Sequence, residues 1–399
     1  MRFEKLLPPE QTLSLPIGQL LLAVVFALVL AGCASEPPKV VEKSVSKPAP
    51  PPSVIPKKPP VKVVSLPKPL TGTELVGSLL PPFVQDKSGW AADIVAAFEA
   101  LNIPPTKGNV CAVLAEIEQE STFQAIPVVP GLPKIVRTEL AARWDSYGIP
   151  RWIMDKSLAM RSPTGQTYSA RIDALSTEND VNDLYEDMIS EIPMGKKLFA
   201  DYNPVRTGGP MQVNASFANS YAAKRGYPFA YDGSLRNALF SRKGGLYFGV
   251  AYLLDYPASY ESMSFRFADY HAGRYSSRNA AFQKAVSALS GIPLKADGDL
   301  LIYEDGVALE DDSQTMRALL ALAPRLNMDR AGIFRTLKLE KSYAFEQSRL
   351  YAKICALAPS MPRAHVPEIV VRGLKFTRRL TTGSYVNRVD SRYRNCLKK

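Results

Sequence analysis

Between residues 36 and 70 the chain carries eleven prolines and seven lysines and no aromatic side chain. A stretch of this composition cannot bury enough apolar surface to offset its chain entropy, so it stays extended and solvated. Whatever folds must therefore lie after it, within about residues 71–399. Apolar residues make up 46% of the whole chain, enough for a sizeable core in that remainder. At ~3.1 Å per residue in polyproline II geometry, the stretch would reach roughly 100 Å. It reads as a plain tether.

The segment before the tether says where the protein works. Arg2 and Lys5 precede an apolar run over residues 20–31 that stops at Leu30-Ala31-Gly32-Cys33. The run falls short of the ~20 residues a membrane-spanning helix needs, and small residues before a cysteine mark a cleavage site. The pattern resembles a bacterial lipoprotein signal, with residues 1–32 removed and Cys33 acylated as the first residue of the mature chain. Ala34 and Ser35 follow in place of aspartate, which by the same resemblance implies the outer membrane. The expectation is a lipid-anchored envelope protein, tethered over residues 33–70, with its face of the membrane left open.

That location bounds the partners and the cysteine chemistry. Nucleic acid lies in another compartment. The net charge is +11, and residues 371–399 hold nine Lys or Arg against Asp390 alone. This tail reads as a solvated basic face, able to meet anionic envelope polymers. With Cys33 acylated, Cys111, Cys355 and Cys396 remain in an oxidising compartment, which gives one disulfide and one free thiol, with spacing unable to choose the pair. Two histidines and no close Cys/His cluster argue against a zinc site, so neither metal nor cofactor is expected.

Helical periodicity opens the folded part. Trp90, Ile94, Phe98 and Leu101 share one face of a helix ended by Pro104 and Pro105. Asn109 is a candidate N-cap for a second helix with Val110, Val113, Leu114 and Ile117 as its buried stripe. Glu120 ends that helix on the flank of the stripe, while Glu116 and Gln119 point toward solvent. A carboxyl against apolar neighbours has its charged form disfavoured, which suits a general acid near neutral pH. Further helical signals follow around Met316 to Leu320, Ile333 to Leu337 and Leu350 to Leu357, with Ser313 and Asp329 as N-caps of the first two.

Three short segments then stand in order: Glu120-Ser121-Thr122-Phe123, Gly209-Pro210-Met211-Gln212-Val213 and Asp269-Tyr270-His271-Ala272-Gly273. Together they resemble the three signature segments of the lysozyme-like lytic transglycosylases. The resemblance implies a general acid/base, Glu120, that needs no second carboxylate because the sugar's own 6-hydroxyl is the nucleophile. By position Ser121 would orient that acid or the substrate, Tyr270 would place its phenol near it, and Met211, Gln212 and His271 would line the cleft. Two residues depart from the pattern, His271 for asparagine and Pro210 for leucine, and a long helical insertion over about 131–202 separates the first two segments.

Longer strings carry a second resemblance. Residues 203–213, Gly244-Gly245-Leu246-Tyr247-Phe248-Gly249, Tyr256-Pro257-Ala258-Ser259-Tyr260 and residues 277–283 resemble the YaiW-type outer-membrane lipoproteins. That likeness implies Cys111 and Cys396 as the disulfide pair. The expected fold is mainly α: a lysozyme-like helical domain over 71–290 with its insertion, then a helical extension with the basic tail over 291–399. Two functions stay open, cleavage of peptidoglycan through Glu120, or binding of glycan or peptide without cleavage, a role that extends to assisting peptide uptake and in which Arg206 would offer a guanidinium fork to a carboxylate.

Overall fold

The computed structural model describes residues 70–146, 148, 150–304, 307–371 and 380–399. The signal, Cys33, nearly all of the tether, Tyr147 of the insertion and residues 372–379 of the basic tail lie outside the described residues.

The protein is mainly helical. Helices α1 (Gly72–Leu79), α2 (Lys87–Ala100) and α3 (Lys107–Glu120) come first. The insertion follows as α4 (Leu132–Ser146), α5 (Arg151–Leu158), α6 (Tyr168–Asp173), α7 (Glu178–Ser190) and α8 (Gly195–Phe199). Next come α9 (Ala215–Arg225), α10 (Leu235–Phe240), α11 (Arg242–Leu254), α12 (Met263–Ala272) and α13 (Ser276–Ser290). Last are α14 (Gln314–Ala321), α15 (Ala323–Leu326), α16 (Arg330–Leu337), α17 (Arg349–Leu357) and α18 (Thr382–Leu397). Among the described residues three two-stranded antiparallel ladders join loops, the first pairing Thr207–Gly208 with Val213–Asn214.

Local chemistry places the first helices. In α2, Trp90, Ile94 and Phe98 are buried, each stabilising the fold by roughly 2–3 kcal/mol on burial. The helix ends at Leu101, followed by Asn102 in the left-handed region, before the prolines are reached. The N-cap of α3 is Thr106, not Asn109: the Thr106 hydroxyl accepts from the Asn109 amide at 3.2 Å, while the Asn109 side chain donates to the Pro104 carbonyl. Capping needs a side-chain oxygen just before the first turn, and Thr106 supplies it. Ser313 and Asp329 do cap α14 and α16.

Two main cores result. The first gathers α1, α2, α3, α9, α11, α12 and α18 around Phe98, Ile117 and Phe248. The second gathers α13 to α17 around Val286, Leu319 and Phe345. Residues 291–399 thus serve both: α14 to α17 form the second core, and α18 returns to pack on α3 and α12. Cys111 of α3 and Cys396 of α18 form a disulfide, and Cys355 stays free. Helix α18 is amphipathic: Tyr385, Val386, Val389 and Cys396 are buried at helical spacing, while Arg388 and Arg394 form an exposed basic face.

The strings that carry the family likeness prove to be packing devices. A Cβ on Gly245 would lie 2.5 Å from Pro210 and 2.8 Å from Gly209, and one on Gly249 would strike Met211. The glycine face of α11 and the turn at residues 209–212 are two halves of one contact. Arg278 is fully buried, giving hydrogen bonds to the Ser342 and Glu340 carbonyls and to Asn279. It joins α13 to the loop after α16. No helix among the described residues is long and apolar enough to cross a membrane.

Candidate functional site

Helix α3 delivers Glu120 to the mouth of a cleft of about 730 Å³, within the roughly 300–1,000 Å³ usual for ligand sites. One side is apolar, formed by residues 125–130, in which Ile126 and Val128 stay exposed. The insertion contributes Ile135, Glu178 and Asn179, tied to that segment by a Val128 to Thr177 bridge. The hairpin adds Thr207, Gly209 and Gln212, and helices α12 and α18 add His271, Tyr385 and Arg388. The insertion therefore walls the cleft.

The backbone just after Glu120 is unusual. Thr122 and Phe123 both take positive φ, 51° and 59°, so two non-glycine residues in succession lie in the left-handed region. Phe123 is held there by edge contacts to Trp90 and Phe83. Gln212, at φ 50°, is the third such residue at the site. Strain of this kind costs of order 1–3 kcal/mol per residue and gathers at functional sites.

Glu120 shares a partner with a second carboxyl. The Tyr385 phenol lies 2.6 Å from Oε1 of Glu120 and 2.6 Å from Oε2 of Glu116. Glu116 does not point to solvent as the stripe implied; it is fully buried. It sits one turn before Glu120 on the face that α18 covers, so the amphipathic pattern of α3 alone could not reveal it. Burial raises the Glu120 carboxyl above the usual range, partly offset by the Tyr385 hydrogen bond. Burial raises Glu116 much further, and the neighbouring Glu120 adds to that. His271 stacks on the Tyr385 ring at 4.3 Å, and burial lowers its pKa, favouring the neutral imidazole.

The other expected site residues divide. Gln212 lines the cleft, its amide oxygen accepting from Thr207 at 3.0 Å and its nitrogen donating to the Gly209 carbonyl at 3.3 Å. Met211 does not line the cleft: its side chain is fully buried against Gly249. Tyr270 is near the two carboxyls, but its hydroxyl donates to the Met211 carbonyl at 2.6 Å and so fixes the hairpin. Ser121 orients nothing in the cleft, because its hydroxyl donates back to the Ile117 carbonyl. Arg206 is exposed beside the hairpin and is not among the residues lining the cleft. Asp269 is buried and structural, accepting from Tyr256, Tyr260 and the backbone of Tyr275 and Ser277.

Glu116 and Tyr385 are thus the residues that sequence reasoning missed. The signal existed for Tyr385: with Val386 and Val389 it forms an apolar stripe inside the charge-rich tail. Among the described residues no cluster of His, Cys, Asp and Glu could hold a metal ion.

Residues 83–399 match the family described as "Protein of unknown function (DUF1615)". The "Uncharacterized protein YaiW" of Escherichia coli (strain K12) is 41% identical over 383 residues, covering 95% of this chain and 98% of the relative. No solved structure matches the chain.

Proposed function

The chain belongs to the DUF1615 family, of the YaiW type, and from that premise we propose that its cleft takes a peptidoglycan strand with Glu120 as the general acid/base. One observation carries this reading: a carboxyl with a raised pKa meets a cleft of ligand size together with an amide, a neutral imidazole and a phenol. The protonated Glu120 would give its proton to the glycosidic oxygen, and its carboxylate would then take one from the sugar 6-hydroxyl. The route asks for one carboxyl at the scissile bond: Glu120 at the end of α3 is assigned to it, Glu178 stands on the wall that the insertion builds, and Glu116 reaches the cleft only through Tyr385. The apolar side at residues 125–130 would meet sugar faces and acetamido methyl groups. In this reading the helical scaffold is lysozyme-like in its use, with the insertion as an added wall. The protein would be held at the outer membrane through an acylated Cys33.

The test is release of anhydro-muropeptides from purified sacculi by the wild-type chain, with loss of release in Glu120→Gln. A second reading, binding of glycan or peptide without cleavage, is favoured by the internal engagement of the Gln212 amide. It predicts saturable binding with no product and indifference to Glu120→Gln.

A further inference from the structure

The Glu116–Tyr385–Glu120 arrangement raises a question of proton counting. A phenol carries one hydrogen and can donate it to one carboxyl oxygen only. Both contacts are 2.6 Å, so if Tyr385 donates to one carboxyl, the other contact is either an acid O–H donating to the phenol or two lone pairs facing each other. The latter is repulsive, and the arrangement therefore holds at least one acid proton, the one that points at Tyr385. We propose that Glu116 keeps that proton across neutral pH and donates it to Tyr385, so that Tyr385 donates to Oε1 of Glu120 and leaves Oε2 as the oxygen that exchanges a proton with a ligand.

Burial decides between the two carboxyls. Glu116 has no exposure, and its Oε1 has no hydrogen-bond partner among the described residues, whereas Glu120 meets the cleft. An ionised carboxylate with an orphaned oxygen in the core would be costly, while a neutral acid is tolerated there. The groups around Glu116 agree. Glu120 on its own helix repels a second negative charge; Tyr270 and His271 on α12 bring no positive charge, since one is a buried phenol and the other a neutral ring. Arg392 on α18 exerts an opposing attraction, but its guanidinium is engaged by Glu118 and Gln119.

Glu116 is on this account a positioning residue: it fixes which way the Tyr385 proton points. The assignment of Oε2 rests on the proposed role of Glu120; the proton on Glu116 does not, and can be measured without substrate. The folded pKa of Glu116 lies above its unfolded value, so the contribution to stability is complete below the unfolded pKa and is lost as pH rises toward the folded one. Over that window the unfolding constant rises up to tenfold per pH unit through this group, a dependence Glu116→Gln should remove.

The experiment is infrared difference spectroscopy of the full chain at neutral pH, with urea unfolding as a function of pH. The expected result is one component of the protonated-carboxyl C=O absorption, distinct from those of Glu120 and the buried Glu340, that is present in wild type and Glu120→Gln and missing from Glu116→Gln, with Glu116→Gln gaining stability relative to wild type as pH rises. A Glu116→Gln spectrum that keeps every protonated-carboxyl component of wild type would overturn the proposal. Should Glu116→Gln fail to fold, Tyr385→Phe serves: the Glu116 band should persist but shift in frequency, and an unchanged spectrum would contradict the inferred contact. Failure of the sacculus assay would leave these outcomes unaffected.

Discussion

The Tyr385 phenol lies 2.6 Å from Oε1 of Glu120, across 265 residues of chain, and makes the last helix part of the site at the end of the third. This hydrogen bond lowers the Glu120 pKa against the raising effect of burial. Tyr385→Phe should therefore raise it further, because the carboxylate loses the phenol that donates to it. NMR titration of the Glu120 carboxyl checks this, and an unchanged or lowered value would contradict it.

The Cys111–Cys396 disulfide closes the contact between α3 and α18, its two ends separated by 285 in sequence. Replacing both cysteines by serine should cost about 2–5 kcal/mol, chiefly by freeing the unfolded chain. Urea unfolding measures that loss. Because α18 carries Tyr385, the variant should also lose protection of the amides in α18 from hydrogen exchange before those in α2.

Gly245 touches the hairpin turn that presents Gln212. Gly245→Ala would force Pro210 or Gly209 to move, since both lie under 3.0 Å from the added carbon. Overpacking of this kind costs about 1–3 kcal/mol. Ligand binding at the cleft should weaken at least tenfold even where the fold survives, as read by titration with soluble glycan fragments; Gly226→Ala, with open space at its own turn, serves as the control for backbone strain alone.

Arg278 is buried with carbonyl partners on the loop after α16. Arg278→Met keeps the length and removes the donors: Oδ1 of Asn279 is left without a partner at about 1–3 kcal/mol, and the Glu340 and Ser342 carbonyls fall back on the Asn279 side-chain amide and the Phe345 backbone amide. Thermal unfolding should show a large drop in midpoint, with the second core failing first. A variant as stable as wild type would show that these hydrogen bonds contribute nothing net.

Local signals were readable in the chain, and long-range ones were not. The helical stripes of α2 and α3 and the caps at Ser313 and Asp329 follow from spacing and from side-chain oxygens at the right offset. The cap of α3 was misplaced because threonine and asparagine stand three residues apart and both can cap; the hydrogen bond to Pro104 decides it. Met211 illustrates a different limit. The motif places it beside Gln212, but a turn with Gln212 in the left-handed region sends neighbouring side chains opposite ways, one to the core and one to the cleft. Glu116 was unreadable from α3, because only the return of α18 buries it. In the tail, nine positive charges hid an apolar stripe whose period was visible.

The most direct measurement is digestion of purified sacculi by the wild-type chain and by Glu120→Gln, followed by separation of the soluble products. The account predicts 1,6-anhydro-muropeptides from the wild type and a loss of at least a hundredfold in Glu120→Gln, as removal of a general acid implies. Equal release by both proteins, or equal binding by both with no release from either, would contradict the assignment of Glu120 as acid/base.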